Sequence, residues 1–223
     1  MNAASRSAIY LALVVGSVVV TAATARADGF TYTLERRGTP AGDMRSFARI
    51  ASDTLSDWRG WSLAGHIRFT RAASGGDFRL VLASPASVAA TSAYCSASYS
   101  CRVKDLVLIN DRRWHEPPSA WTRSLHSYRH YVINHEVGHW LGLAHTTCPD
   151  SGSEAPVMLQ QSKALHGCRA NAWPTEGELE EVAAIHGTTG WRESTCKGNH
   201  REARCAHNHP RSGPAPGLHP IPA

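Results

Sequence analysis

Between His135 and His145 the chain reads HEVGHWLGLAH, which fits the pattern H-E-x-x-H-x-x-G-x-x-H without a gap. On a helix of about 3.6 residues per turn, His135 and His139 fall one turn apart on one face, so both imidazoles can reach a single metal ion. Glu136 lies about 100° further round, badly placed to be a ligand but within reach of a water held by that ion, the position a general base needs. Gly142 is expected to end the helix, because a residue without a Cβ takes a left-handed conformation and lets the chain turn back. His145 would then approach the metal from another direction. Three neutral histidines suit one Zn²⁺ and leave a tetrahedral position open, as in catalytic rather than structural sites. H-E-x-x-H alone is short enough to arise by chance in an ordinary buried helix, but the glycine and third histidine at fitting spacings argue against chance.

This extended motif resembles the signature of the metzincin zinc endopeptidases. The resemblance implies a methionine-containing turn beneath the metal, and Met158, in Ala155-Pro156-Val157-Met158, is the match; the other methionines, Met1 and Met44, lie far upstream. Taken alone, Met158 reads as well as a filler of an irregular core gap. The fold implied is α+β and zincin-like: a twisted mixed sheet, an active-site helix, the methionine turn and a C-terminal helix. Some members carry a tyrosine two residues after the methionine as an extra ligand or oxyanion aid, whereas this chain has Gln160. Within the clan, the run from Tyr131 to Pro174, with Leu165-His166-Gly167-Cys168 and Trp173-Pro174, resembles a secreted bacterial family of uncharacterised function.

At 223 residues, 42% hydrophobic and 18% charged, the composition fits about one globular domain. Residues 1–27 read as a signal peptide: Arg6 gives a positive start, Ile9 to Val20 an apolar run, and Ala25-Arg26-Ala27 a small-x-small cleavage site before Asp28. The competing reading is an uncleaved anchor, for which the run is short. The expected organisation is a signal peptide over 1–27, a catalytic domain over 28–194, and a tail over 195–223. Arg6 and Arg26 supply two of the net +5 charges, leaving +3 after cleavage. That mild excess suits solubility and a polyanionic cell-wall surface as a candidate partner. No Lys/Arg run or aromatic-basic interleaving argues for nucleic acid. A secreted monomer free of the membrane is expected.

Cys95, Cys101, Cys148, Cys168, Cys196 and Cys205 are an even set in a chain read as exported, which favours disulfides over metal ligation in the absence of any C-x-x-C pair. Many connectivities are open. Pairing neighbours is the simplest, and a Cys148 to Cys168 bridge would then brace the segment from just after the third ligand to just after Met158. In the tail, Cys196, His200, Cys205, His207 and His209 could be drawn as a second metal site. Their spacing fits no zinc module, so a small disulfide loop before a disordered Pro/Gly end is expected.

Stepwise alternation predicts strands at Phe30 to Leu34, Ile67 to Phe69, Phe78 to Leu82 and Leu106 to Asn110. Met44, Phe47, Ala51, Leu55 and Trp58 recur at helical spacing, with Gly60 as the stop. Ser84 to Tyr99 reads as bland loop, although the resemblance would put a substrate-pairing edge strand there. Arg112, Arg113 and Trp114 read as a solvated connector. The metal-bearing helix is expected to begin near Ser119 or Ala120, with His126 and His130 on its surface, unligated. Pro174, Thr175 and Glu178 resemble a capping box opening a last helix that Gly187 ends.

The expected reaction is peptide-bond hydrolysis of a peptide or protein substrate, with Zn²⁺ on the three histidines and Glu136 as general base. Two rival readings share the motif: a catalytically silent zinc-stabilised binding domain, disfavoured by the retained Glu136, and a hydrolase of cell-wall peptide amide bonds. A third, a surface interaction protein with a fortuitous motif, predicts no bound metal.

Overall fold

The computed structural model describes residues 29–188 together with 190 and 191. The expected signal peptide, the Cys196 and Cys205 pair and the tail fall outside the described residues.

Five strands form one mixed sheet in the order β2-β1-β3-β5-β4. β1 (Gly29–Arg37), β2 (Arg68–Arg71), β3 (Phe78–Ala83) and β5 (Leu106–Asn110) run parallel, and β4 (Cys101–Val103) is antiparallel to β5. The centre is β3, FRLVLA, with every residue but Arg79 buried; an apolar run suits a strand covered on both faces. One face carries the main core, where Leu80, Leu82 and Ile109 meet Phe47, Ile50, Ile133 and Val137. Those helical residues belong to α1 (Met44–Ser56) and α4 (Leu125–Trp140), and each fully buried aliphatic side chain stabilises by roughly 1.5–3 kcal/mol. The other face holds a smaller cluster of Val81, Ala83, Val88 and Leu108.

Four local expectations are corrected. α1 ends at Ser56, not Gly60, because Asp57 turns extended and its carboxylate accepts from the Arg59 backbone N–H at 2.8 Å, a local bond that competes with the helix. Part of Ser84 to Tyr99 is helical: Ser84 caps α2 (Pro85–Ala89), with Pro85 at the first position where its missing N–H costs nothing, and the edge strand is β4 instead. Arg112 to Trp114 belong to α3 (Asp111–His115), capped by Asn110, and Trp114 is buried edge-on against Phe47 at 5.0 Å. The metal-bearing helix starts at Leu125, where the Ser124 side chain accepts from the Ser127 N–H. Before it, Trp121 is held in a turn by its N–H to the Pro118 carbonyl and stacks on Tyr131.

His130 is not a surface residue. It is 9% exposed, and its Nδ1 lies 2.7 Å from the Thr54 hydroxyl. That hydroxyl donates to the Ile50 carbonyl at 2.6 Å, which leaves its oxygen to accept from His130 Nδ1–H. Nε2 of His130 is thus the acceptor for Nε2–H of exposed His126, 3.1 Å away. Burial, then His126 and Arg59, hold the His130 pKa down to about 4 against the raising effect of Asp57 and Asp53. Above pH 6.5 both folded and unfolded chains are neutral there; as pH falls toward 4, the unfolded chain takes up a proton that the folded one resists, so stability is lost in that window. We expect the loss of stability between pH 7.5 and 5 to be smaller in His130→Gln than in the wild type, by an amount on the order of 1–2 kcal/mol. Equal slopes in thermal melts would refute the assignment.

The disulfides Cys95–Cys101 and Cys148–Cys168 are formed, with Cα separations of 5.7 and 5.8 Å, as neighbour pairing anticipates. Among the described residues no helix is long and apolar enough to cross a membrane.

Candidate metal centre

His135 and His139 lie on the last turns of α4, one turn apart, with ring centroids 4.8 Å from each other. The helix stops at Trp140. Gly142 takes φ +109°, its N–H bonds the His139 carbonyl and the Leu143 N–H bonds that of Gly138, a Schellman ending that a side chain at 142 would strain. The chain reverses and brings His145 back, so that its Nε2 lies 3.0 Å from Nε2 of His139. One nitrogen from each of the three rings falls within 4.8 Å of the others.

Two of the rings have their tautomer set by backbone carbonyls, which can only accept. His135 Nδ1–H donates to Val157 O at 2.7 Å, and His139 Nδ1–H to Leu143 O at 2.9 Å. Their Nε2 lone pairs are therefore directed at the common point, the outer-shell arrangement found behind metal-ligating histidines. Burial lowers all three pKa values, that of His135 to about 3, and neutral imidazole is the form a cation needs. In a tetrahedral zinc site with bonds of 2.0–2.1 Å, ligand nitrogens stand roughly 3.3 Å apart, close to the observed 3.0 Å pair. The donor set fits a zinc ion.

Glu136 is 5% exposed, and burial pushes its carboxyl up to about 8. A cation on the histidines would favour the carboxylate and bring that value down. Among the described residues, nothing hydrogen-bonds to it, so both oxygens remain available to a substrate or water.

Met158 lies under α4. A Cβ built on Gly138, inside the motif, would come within 2.5 Å of the Met158 sulfur and 3.0 Å of the Trp61 ring, so the glycine is what lets the turn press against the helix. The turn is tied on every side. Its Val157 and Met158 N–H groups donate to the two oxygens of buried Glu178, at 3.0 and 2.7 Å, and Thr146 N–H donates to Met158 O just beyond the third histidine. Glu178 is also the capping-box residue of α5 (Glu176–Ile185), accepting from Thr175 N–H at 2.7 Å. One carboxylate thereby joins α5, the methionine turn and, through Val157, the first histidine. Sequence reasoning found Glu178 only as a cap; its second pair of partners lies about twenty residues upstream, with no local signal.

The Cys148–Cys168 bridge closes the segment that carries Met158. An open cleft of about 630 Å³ is lined by the three histidines, Glu136 and the Cys95–Cys101 bridge. Gln160 lines it, together with Tyr99, Arg102 and Lys163, which sequence reasoning did not single out because isolated polar residues in loops carry no periodicity or motif.

A family model described as Protein of unknown function (DUF3152) matches residues 8–186. No curated protein matches the sequence. Among solved structures, that of archaemetzincin from Methanopyrus kandleri is similar over 72% of this chain and 97% of its own, at 15% sequence identity and a TM-score of 0.44.

Proposed function

The chain belongs to the DUF3152 family, and from its metal centre we propose that it is a secreted zinc-dependent peptidase of metzincin type. The convergence of three imidazole nitrogens, two of them aimed by backbone carbonyls, carries this reading.

Bound there, zinc would polarise a scissile carbonyl and ease deprotonation of a water at neutral pH. His135, His139 and His145 would hold the ion, with Val157 O and Leu143 O fixing two of the rings. Glu136 accepts the proton that water loses as its oxygen bonds the carbonyl carbon, and returns it to the departing nitrogen as the C–N bond breaks. The open cleft leaves room for an extended peptide, and β4 borders it. Met158 supports the helix from below and touches no substrate. Export of a catalytic domain over residues 28–194 after loss of residues 1–27 accords with the two disulfides, which persist in oxidising compartments.

The test is to express residues 28–223 with disulfides allowed to form, measure bound metal, and assay casein and a quenched peptide library. About one zinc per chain is expected, with cleavage lost on chelation, restored by zinc, and a melting temperature that falls when the metal is stripped. Absence of zinc would sink the reading. Zinc without cleavage of any protein or wall-peptide substrate would favour the binding-domain alternative.

A further inference from the structure

The cleft is electrostatically one-sided. Arg102 on β4 and Lys163 on the loop after the methionine turn both line it, while Glu136 is its only lining carboxylate among the described residues. Some arginines elsewhere are paired with a carboxylate, among them Arg59 with Asp57, Arg79 with Asp105, Arg49 with Asp53 and Arg112 with Glu116. Arg102 and Lys163 have no carboxylate within 4 Å among the described residues, although both are exposed and long enough to reach one.

Both cations stand on fixed backbone. Arg102 sits in the hairpin opposite Val107, with the Cys95–Cys101 bridge beside it, and Lys163 N–H donates to Gln160 O at 2.8 Å in a tight turn. The Lys163 ammonium stands 5.7 Å from the centroid of the Tyr99 ring, which also lines the cleft. Both residues line the same cleft as the three histidines. A dication on the histidines would make the cleft more positive still. Such a concavity concentrates anions and repels cations.

We propose that Lys163 and Arg102 form a subsite for a side-chain carboxylate, so that the cleft selects peptides with aspartate or glutamate beside the bond presented to the histidines. This substrate class rests on the peptidase reading, but the binding preference can be measured separately from cleavage. Arg102 offers a planar fork suited to a carboxylate, and Lys163 a point charge on a flexible stem.

The experiment uses zinc-loaded Glu136→Gln and three fluorescent peptides of one length, carrying Glu, Gln or Lys at the central positions, with anisotropy as the readout. The Glu peptide should bind roughly tenfold more tightly than the Gln peptide, with the Lys peptide weakest, and the difference should shrink as salt rises. In Lys163→Glu/Arg102→Glu, made in the same background, the order should invert; both positions are exposed, and zinc content and thermal melts verify the fold. Equal binding of the Glu and Gln peptides, no binding of either, or an unchanged order in the reversed variant would overturn the subsite. Acid-selective binding with no cleavage by the wild type would instead defeat the peptidase reading and leave the subsite standing.

Discussion

Glu136→Ala should cut peptide cleavage by about a hundredfold to ten-thousandfold while zinc remains near one ion per chain. The residue is buried beside two of the histidines on α4 and, among the described residues, forms no hydrogen bond, so removing it strands no polar partner. A buried carboxyl without a partner is a cost to the fold. The variant's melting temperature should therefore hold or rise, and the pairing of lost turnover with undiminished stability separates a chemical role from a structural one. Quenched-peptide assays, metal analysis and thermal melts on one preparation decide it. A variant that cleaves normally would remove Glu136 from the mechanism, and one that loses zinc would show that its role is to build the centre.

Glu178→Ala has the opposite signature. Its carboxylate takes the Val157, Met158 and Thr175 N–H groups, and the first two belong to buried residues. Stranding them, and losing the helix cap, should cost about 3 kcal/mol or more, a fall of roughly 6–12 °C in melting temperature for a chain of this size. Because Val157 O orients His135, zinc affinity should also drop, by about tenfold to a hundredfold, as for other changes behind a ligand. Thr175→Ala removes part of the cap alone and should cost about 1 kcal/mol with little change in zinc affinity. If competition titrations with a chromogenic chelator gave Glu178→Ala wild-type affinity, the proposed link from α5 to the metal would be wrong.

The metal centre was readable because its chemistry is contiguous: three histidines and a glycine within one helix and its turn obey spacings set by helix geometry alone. The main strands were readable for a similar reason, since period-two alternation and apolar runs mark β1, β3 and β5 directly. What escaped depends on residues meeting across long stretches of chain. His130 looked like surface because its partner Thr54 lies in another helix. Trp114 looked like a connector because the cavity it fills is made by Phe47. The onset of α4 was misplaced because the two prolines at 117 and 118 suggest a start, whereas Trp121 needs a turn to reach the core and Ser124 supplies the cap. Arg102 and Lys163 belong to distant stretches of chain, and only the folded chain brings both to one cleft.

Val157 uses its N–H toward Glu178 and its carbonyl toward His135, so a residue in the first turn of α5 finishes a ligand some forty positions earlier. During synthesis the H-E-x-x-H segment emerges well before that carboxylate does. A nascent chain stopped short of α5 would present the histidines without the acceptor that aims the first of them. The bonding behind His135 is therefore completed only once α5 has been made.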